Sequence, residues 1–285
     1  MSGFTPFFNK RRDFIGKVLA GAVLTLVNPF KNFATSKKES QAMIRVIKKS
    51  EQFNDVIFGG RFHANKPVFQ GKESVKPYSS LFYWSNGYVH EKCEFGLHPH
   101  QGFEIMTFLF EGKISHYDTQ TQVWTDLEAG GFQVIQSNSG IQHQERVTGG
   151  SRAFQIWFDP NYHEAVRQAP SYTDYHSDNF QPETVKGVET VTYIGTGSKA
   201  SAMTPGLTIK KLIFRQKTQK SIELNEKCSY TFYVLNGSGT VGNSQIAQDD
   251  AMRVSGSSNL NIDFKGELFY IETPAVLPYK AVWDL

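Results

Sequence analysis

Two short motifs in this chain carry side chains that bind metal ions. The first contains His98 and His100, and the second contains His143 and Glu145. In an extended strand every second side chain lies on the same face, so the two members of each pair point in one direction. Three imidazole nitrogens and one carboxylate suit a divalent metal of intermediate softness. An octahedral ion held this way would keep positions open for water, oxygen or substrate.

The alternative is that these four residues are ordinary polar residues on solvated strand faces. Glycine turns flank both motifs, and the sequence around them is typical of strands. Pro99, between the two histidines, has no backbone N–H, so its strand should begin or border a sheet, and its fixed φ should stiffen the spacing of the pair. The sequence therefore favours a metal site formed by His98, His100, His143 and Glu145.

Glu145 would be the single anionic ligand of such a site. With neutral imidazoles, a divalent ion would keep a net positive charge and would attract an anionic oxygen such as an enolate or a deprotonated phenol. Iron could add redox chemistry with dioxygen, whereas zinc would act only as a Lewis acid. Glu145 is then the predicted catalytic residue, because a carboxylate beside a metal can accept the proton of a substrate.

Other polar residues near these motifs have less certain roles. Glu104 shares the strand parity of His100 and could be a fifth ligand, although a position behind the ligands is favoured. His116 and Asp118 follow a hairpin turn, where an exposed polar face is expected. Arg152 either steadies Glu145 across strands or faces solvent. The remaining histidines are isolated and are predicted to be structural or exposed: His63, His90, His163 and His176.

The elements that would position the motifs are short strands joined by glycine turns. Aromatic residues make up 14% of the 285 residues and there are 24 glycines, which favours strands over a helical bundle. Closure into a barrel would hide the many strand edges, so the predicted fold class is all-β. Strands are expected at residues 44–47, 79–84, 103–110, 113–118, 124–127, 132–136 and 152–158, and a helix only at 162–168.

A weak internal repeat suggests that the barrel occurs twice. Residues 108–112 read FLFEG and residues 233–237 read YVLNG, an offset of 237 − 112 = 125. The same offset places Glu223, Asn225, Leu268 and Tyr270 opposite the four candidate ligands, so the second copy should lack a metal site. We therefore expect a metal-binding domain at residues 42–165, a connecting segment at 166–206 and a metal-free domain at 207–285.

The first 34 residues have the character of an export signal. Arg11 and Arg12 precede an apolar run at residues 18–27, which is too short to span a bilayer but fits a signal peptide. The paired arginines resemble a twin-arginine signal, which predicts a periplasmic protein; a basic N-terminus with a short apolar helix, and a cytoplasmic location, is the alternative. No transmembrane span is expected after the leader.

Charge and cysteine content exclude other classes of protein. The net charge is +3, but five basic residues against Asp13 give the first 34 residues +4 and leave −1 for the remainder. The folded part therefore has no basic face for nucleic acid. Cys93 and Cys228 have neither metal-site nor redox-motif spacing, and two unpaired thiols are favoured over a disulfide.

The metal motifs and their context resemble the pirin family of the cupin superfamily. The matching segments are residues 97–104, LHPHQGFE, residues 110–112, FEG, and residues 139–145, SGIQHQE. The resemblance implies a bicupin of two β-barrels with one iron in the first barrel, held by His98, His100, His143 and Glu145. Two departures leave the substrate open: Gln101 stands where the family usually has arginine, and the Asp-Pro-Phe stretch common before Gly96 is missing.

Three functions are consistent with these residues. The first is an iron(II) dioxygenase that acts with dioxygen on a phenolic or flavonol-like small molecule, as some pirins do with quercetin. The second is a non-catalytic or redox-sensing metal-binding protein, since other pirins are described as modulators of transcription regulators. The third is a zinc or nickel hydrolase or isomerase. A monomer is expected in each case.

Overall fold

The structure is a computed structural model that describes residues 43–284, and the predicted export signal lies outside them. Almost every element is a strand, as predicted. The one α-helix of the described part, α1, spans Tyr162–Ala165 and is shorter than expected. Single turns of 3-10 helix occur at Lys49–Glu51, Phe58–Gly60, Glu73–Val75, Ser177–Asn179 and Val282–Asp284.

Nineteen strands are found in residues 43–284. The first eleven are β1 Met43–Ile47, β2 Phe53–Ile57, β3 Phe62–Phe69, β4 Leu81–Val89, β5 Cys93–His100, β6 Glu104–Glu111, β7 Lys113–Asp118, β8 Trp124–Glu128, β9 Phe132–Gln136, β10 Ile141–Val147 and β11 Arg152–Phe158. The other eight are β12 Ser171–Tyr175, β13 Glu183–Val185, β14 Val188–Ile194, β15 Thr208–Glu223, β16 Cys228–Val241, β17 Ser244–Ala247, β18 Ala251–Ser255 and β19 Asn259–Pro274.

Two barrels with matching strand order make up the described chain. In the N-terminal barrel a seven-stranded sheet runs β12-β9-β6-β11-β4-β3-β2, and it faces a four-stranded sheet, β5-β10-β7-β8. In the C-terminal barrel one eight-stranded sheet runs β1-β18-β16-β19-β15-β14-β13, with β17 beside β16. The long strands β15, β16 and β19 each replace two shorter strands of the first barrel. The predicted duplication is therefore present in the topology.

The outermost strands are exchanged along the chain. Strand β1 pairs with β18 of the C-terminal barrel, although it lies at the start of the range predicted for the N-terminal domain. Strand β12, in the predicted connecting segment, pairs with β9 of the N-terminal barrel. The domain limits proposed from the sequence remain predictions, and pairing across them ties the two barrels together.

The constant offset of 125 does not hold for the metal motifs. Strands β16 and β19 pair in the second barrel as β7 and β10 pair in the first. Val241 lies opposite Ile262, and His116 lies opposite Glu145, so Ile262 is the counterpart of Glu145. The offset is 241 − 116 = 125 at His116 but 262 − 145 = 117 at Glu145. It changes between these strands because the second barrel has shorter connections: residues 242–243 join β16 to β17, where residues 119–123 join β7 to β8. By register and strand alternation the true counterparts of the four candidate ligands are Ile222, Leu224, Leu260 and Ile262. All four are apolar, which supports a metal-free second barrel.

The two faces of β11 serve different cores. Phe154, Ile156 and Phe158 are buried in the hydrophobic cluster shared by the two barrels. The alternate residues Gln155 and Trp157 point the other way, into the N-terminal barrel, because side chains of a strand alternate faces. Strand β11 is thus the wall between the shared core and the candidate site.

The cysteines and the helices of the described residues can be compared with two further expectations. Cys93 and Cys228 are both free, as the sequence favoured. Within residues 43–284 no helix is long and apolar enough to cross a membrane.

Candidate metal centre

Strands β5 and β10 bring three of the four predicted ligands together. His98 on β5 lies directly opposite His143 on β10, and their ring centroids are 4.3 Å apart. The His100 ring centroid lies 4.9 Å from that of His143. One nitrogen from each ring falls within 4.8 Å of the other two. As Pro99 predicted, β5 is an edge strand of its sheet.

The histidine cluster is built to accept a ligand. His143 is fully buried, and neither of its ring nitrogens has a hydrogen-bond partner within residues 43–284. A buried polar group without a partner is costly, so its presence indicates a bound group that would satisfy it. The Nδ1 atom of His98 lies 2.7 Å from the Gly96 carbonyl oxygen, which leaves Nε2 free to bind a metal.

Burial keeps these imidazoles neutral. It lowers the pKa of His100 to about 3, with a smaller contribution from the neighbouring His98. Burial and the neighbouring imidazoles lower the pKa of His143 well below its usual value, and burial also lowers that of His98. A neutral imidazole is the form that binds a metal, so the site selects the binding form of all three ligands.

Glu145 lies beside His143 but outside the group of three histidines. Its carboxylate forms a second close group with His116 and His143, also within 4.8 Å. It is buried, and burial raises its pKa to about 7. The Gln155 side chain donates a hydrogen bond of 3.3 Å to its Oε1 atom. His143 therefore links His98 and His100 to the buried carboxylate.

The expectation that His116 and Asp118 are exposed is wrong. They are 1% and 0% exposed, because β7 alternates and shares its buried face with Ile114. His116 Nε2 lies 3.2 Å from Asp118 Oδ2, and the imidazole stacks on Tyr172 with ring centroids 4.2 Å apart. His116 is directly opposite Glu145 on the neighbouring strand. It belongs to the surroundings of the candidate metal site.

Glu104 is neither a fifth ligand nor a group behind the ligands. It is fully buried and accepts hydrogen bonds from the backbone N–H groups of Met203 and Thr204, at 2.8 and 3.0 Å, and from the Thr204 hydroxyl at 2.7 Å. Burial raises its pKa, and these donors oppose that rise. Its function is to fix the connecting segment to the start of β6.

Arg152 takes neither of the roles that the sequence left open. It is buried between the barrels and forms an ion pair of 3.1 Å with Asp249, which also accepts hydrogen bonds from Tyr88 and Asn86. Its Nη1 atom donates to the Leu235 carbonyl. The four remaining histidines are exposed, as predicted, but two of them are neighbours, since the rings of His63 and His90 lie 4.6 Å apart.

Aromatic side chains border the histidine cluster on one side. The Trp157 ring centroid lies 5.0 Å from that of His100, and the indole stacks on Tyr83 at 4.4 Å. The Phe103 ring stacks on Trp157 with centroids 6.3 Å apart. Phe95 does not join this group and packs against Phe58 at 4.9 Å. A planar aromatic molecule would find an apolar wall next to the histidines.

A cavity of about 230 Å³ lies elsewhere, between the two barrels. It is bordered by Phe110, Arg152, Tyr193, Lys211 and Glu267 and shares no residue with the histidine cluster. Its lining carries charges of both signs and no group of metal ligands. We therefore place the chemistry at the histidines rather than in this cavity.

Comparison with known proteins agrees with this fold. Residues 38–158 match the pirin family. A putative quercetin 2,3-dioxygenase of Zymomonas mobilis is 38% identical over 80 residues, which is 27% of this chain and 34% of that protein. The quercetin 2,3-dioxygenase of Escherichia coli K12 is 36% identical over 69 residues, 23% of this chain and 29% of that protein. The matched region thus spans about a third of the length of these curated relatives.

Solved structures show the same architecture over most of the chain. The Escherichia coli pirin YhhW in complex with nickel(II) superposes with a TM-score of 0.68 at 20% identity, covering 82% of this chain and 100% of that one. A quercetin 2,3-dioxygenase from Acinetobacter baumannii gives a TM-score of 0.68 at 18% identity, covering 85% and 82%. The chain is therefore pirin-like in sequence over residues 38–158 and has the all-β bicupin fold of the pirins.

Proposed function

We propose that this protein binds one divalent metal ion, iron(II), and uses it as a dioxygenase of phenolic or flavonol-like small molecules, of the quercetin 2,3-dioxygenase type. The single observation that carries metal binding is His143, a fully buried imidazole whose two nitrogens have no hydrogen-bond partner in residues 43–284, placed between two further histidines. We assign His98, His100, His143 and Glu145 as the ligands.

The donor set fits a divalent transition metal. It combines neutral imidazoles with one buried carboxylate, and the second barrel has apolar residues at all four matching positions. When bound, iron(II) would supply the redox chemistry that couples an electron-rich phenol to dioxygen.

The protein's own residues then have separable tasks. Glu145 would accept the proton of the substrate hydroxyl at its carboxylate, since a carboxylate beside a metal can act as a general base. Trp157 and Phe103 would provide an apolar surface for the aromatic rings and exclude water. His98, the most exposed of the three histidines, would lie at the entrance.

The relatives support this class of substrate. Two of the relatives compared above are named as quercetin 2,3-dioxygenases, one of them putatively. Their identity with this chain is confined to short segments, so the substrate here is a proposal. We further propose a monomer that reaches the periplasm through its twin-arginine signal, which a leader fusion compared in cells with and without that translocase would test.

The activity test starts from protein purified without oxygen. Metal analysis should find iron, and oxygen consumption should follow addition of quercetin or a related phenol. The variant His98→Ala/His100→Ala should take up no oxygen, which controls for reaction of the phenol itself. Bound metal with no oxygen uptake across a panel of phenols would contradict the dioxygenase and favour a non-catalytic metal-binding protein. Zinc as the resident metal would favour a Lewis-acid reaction.

A further inference from the structure

Two side chains of strand β11 form a short chain of hydrogen bonds that ends at the buried carboxylate of Glu145. The Trp157 indole Nε1 donates to Gln155 Oε1 at 3.2 Å. Gln155 Nε2 in turn donates to Glu145 Oε1 at 3.3 Å. Both β11 side chains are half-buried, and they lie on the face of the strand that points into the N-terminal barrel.

The chemistry of the indole fixes the direction of this chain. Indole has a donor and no acceptor, so the atom of Gln155 that faces Trp157 must be the amide oxygen. The amide nitrogen then faces Glu145, and an N–H donor is directed at the carboxylate. Trp157 therefore prevents the flipped amide, which would place an oxygen against the oxygen of Glu145.

Trp157 is itself held in place by its ring contacts. It stacks on Tyr83 with an interplanar angle of 27° and meets the edge of His100. The indole thus touches one candidate ligand directly and acts on another through Gln155. Strand register gives the matching positions of the second barrel, where Ile262 replaces Glu145 and Tyr270 replaces Gln155. The amide therefore accompanies the carboxylate only in the barrel that has the histidine cluster.

We propose that Gln155, oriented by Trp157, is a positioning residue that holds Glu145 for metal binding. It donates to one carboxylate oxygen and leaves the other for the ion. This inference rests on the proposed function, because it takes Glu145 as a ligand. Groups that orient metal ligands in this way contribute about 10- to 100-fold to metal affinity.

The test measures metal affinity in the full chain. Metal-free protein is titrated with nickel(II), and the spectrum of bound cobalt(II) reports on the coordination. Gln155→Leu should weaken nickel binding by about 10- to 100-fold and change the cobalt spectrum. Trp157→Phe keeps an aromatic ring against Tyr83 and removes only the donor, so it should weaken binding less. If Gln155→Leu does not fold, the test rests on Trp157→Phe, which must bind nickel(II) more weakly than the wild-type protein.

A double variant separates positioning from general damage to the barrel. Because Trp157 acts on Glu145 only through Gln155, the double variant should bind nickel no more weakly than Gln155→Leu alone. Gln52→Leu is the matched control, since Gln52 is a buried glutamine whose amide donates to the Asp249 carbonyl and contacts no residue of the histidine cluster. It should lower the unfolding temperature and leave nickel affinity unchanged.

The outcomes distinguish this inference from the proposed function. Wild-type affinity and spectrum in Gln155→Leu, or additive losses in the double variant, would overturn the positioning role while leaving the metal site intact. An equal loss of affinity in the Gln52→Leu control would also overturn it. Absence of nickel binding in the wild-type protein would overturn both.

Discussion

Replacing His143 with leucine should abolish metal binding and yet stabilise the metal-free protein. His143 is fully buried, and neither ring nitrogen has a partner in the described part of the chain. In the metal-free state the fold therefore bears the cost of two buried polar atoms. The second barrel shows which residue fits this position without metal, since Leu260 lies at the matching position and is completely buried.

The size of the effect follows from the two nitrogens. Each buried, unsatisfied polar group costs about 1–3 kcal/mol. Taking the lower limit for both, because leucine must repack among its neighbours, gives a gain of about 2 kcal/mol in the free energy of unfolding. In a protein of this size each kcal/mol shifts the unfolding temperature by about 2–4 °C, so Tm should rise by about 4–8 °C.

The assay is thermal unfolding of metal-free protein with and without nickel(II). At 100 times its Kd, a bound metal should stabilise the wild-type protein by about 2.7 kcal/mol, whereas His143→Leu should gain nothing from it. The exposed His163→Leu is the control for loss of an imidazole. Leu260→His is the reverse exchange, and it should lower Tm without creating metal uptake. A His143→Leu protein that is less stable than metal-free wild type, or that still responds to nickel, would refute this reasoning.

Three further predictions concern acid stability, a turn and the connecting segment. In the folded protein the pKa of His100 is about 3, against an ordinary value of 6.5, so between these values the unfolded chain binds more protons. The free energy of unfolding of the metal-free protein should therefore fall as the pH decreases from 6.5. Denaturant titrations should show a smaller decrease for His100→Asn. Gly112→Ala should destabilise far more than Gly150→Ala, because both glycines have positive φ but only the first would place its Cβ against Ser151; equal Tm values would contradict this. Glu104→Leu should cost more than about 3 kcal/mol in urea unfolding, since it leaves three donors unpaired, two of them buried, whereas Glu104→Gln keeps an acceptor and should cost less; the opposite order would show that the carboxylate does not hold the connecting segment.

Local patterns were sufficient to predict the fold class and the histidine cluster. Side chains two apart on a strand share a face whatever the partner strand is, so the pairing of His98 with His100 needed no tertiary information. The same rule could have identified His116: Ile114 shares its parity, and an apolar residue on that face indicates that the face is buried. The polar residues that follow the hairpin turn instead suggested an exposed face, so the burial of His116 was not predicted.

Long-range register could not be predicted from the sequence. A constant repeat offset selected Leu268 and Tyr270, but the shorter connections of the second barrel, such as the turn at residues 242–243, move the matching positions to Leu260 and Ile262. Glu104 and Arg152 are likewise held by groups far along the chain, Thr204 and Asp249, which strand periodicity does not reveal. These contacts depend on how the two barrels meet.

The metal content of purified protein tests the central claim most directly. Elemental analysis after anaerobic purification should give one divalent metal ion per wild-type chain and none for His98→Ala/His100→Ala. Circular dichroism and Tm of the metal-free forms would show that both proteins are folded. Full metal occupancy in the double variant, or no metal in folded wild-type protein after incubation with iron(II) or nickel(II), would contradict the assignment of this cluster as a metal site.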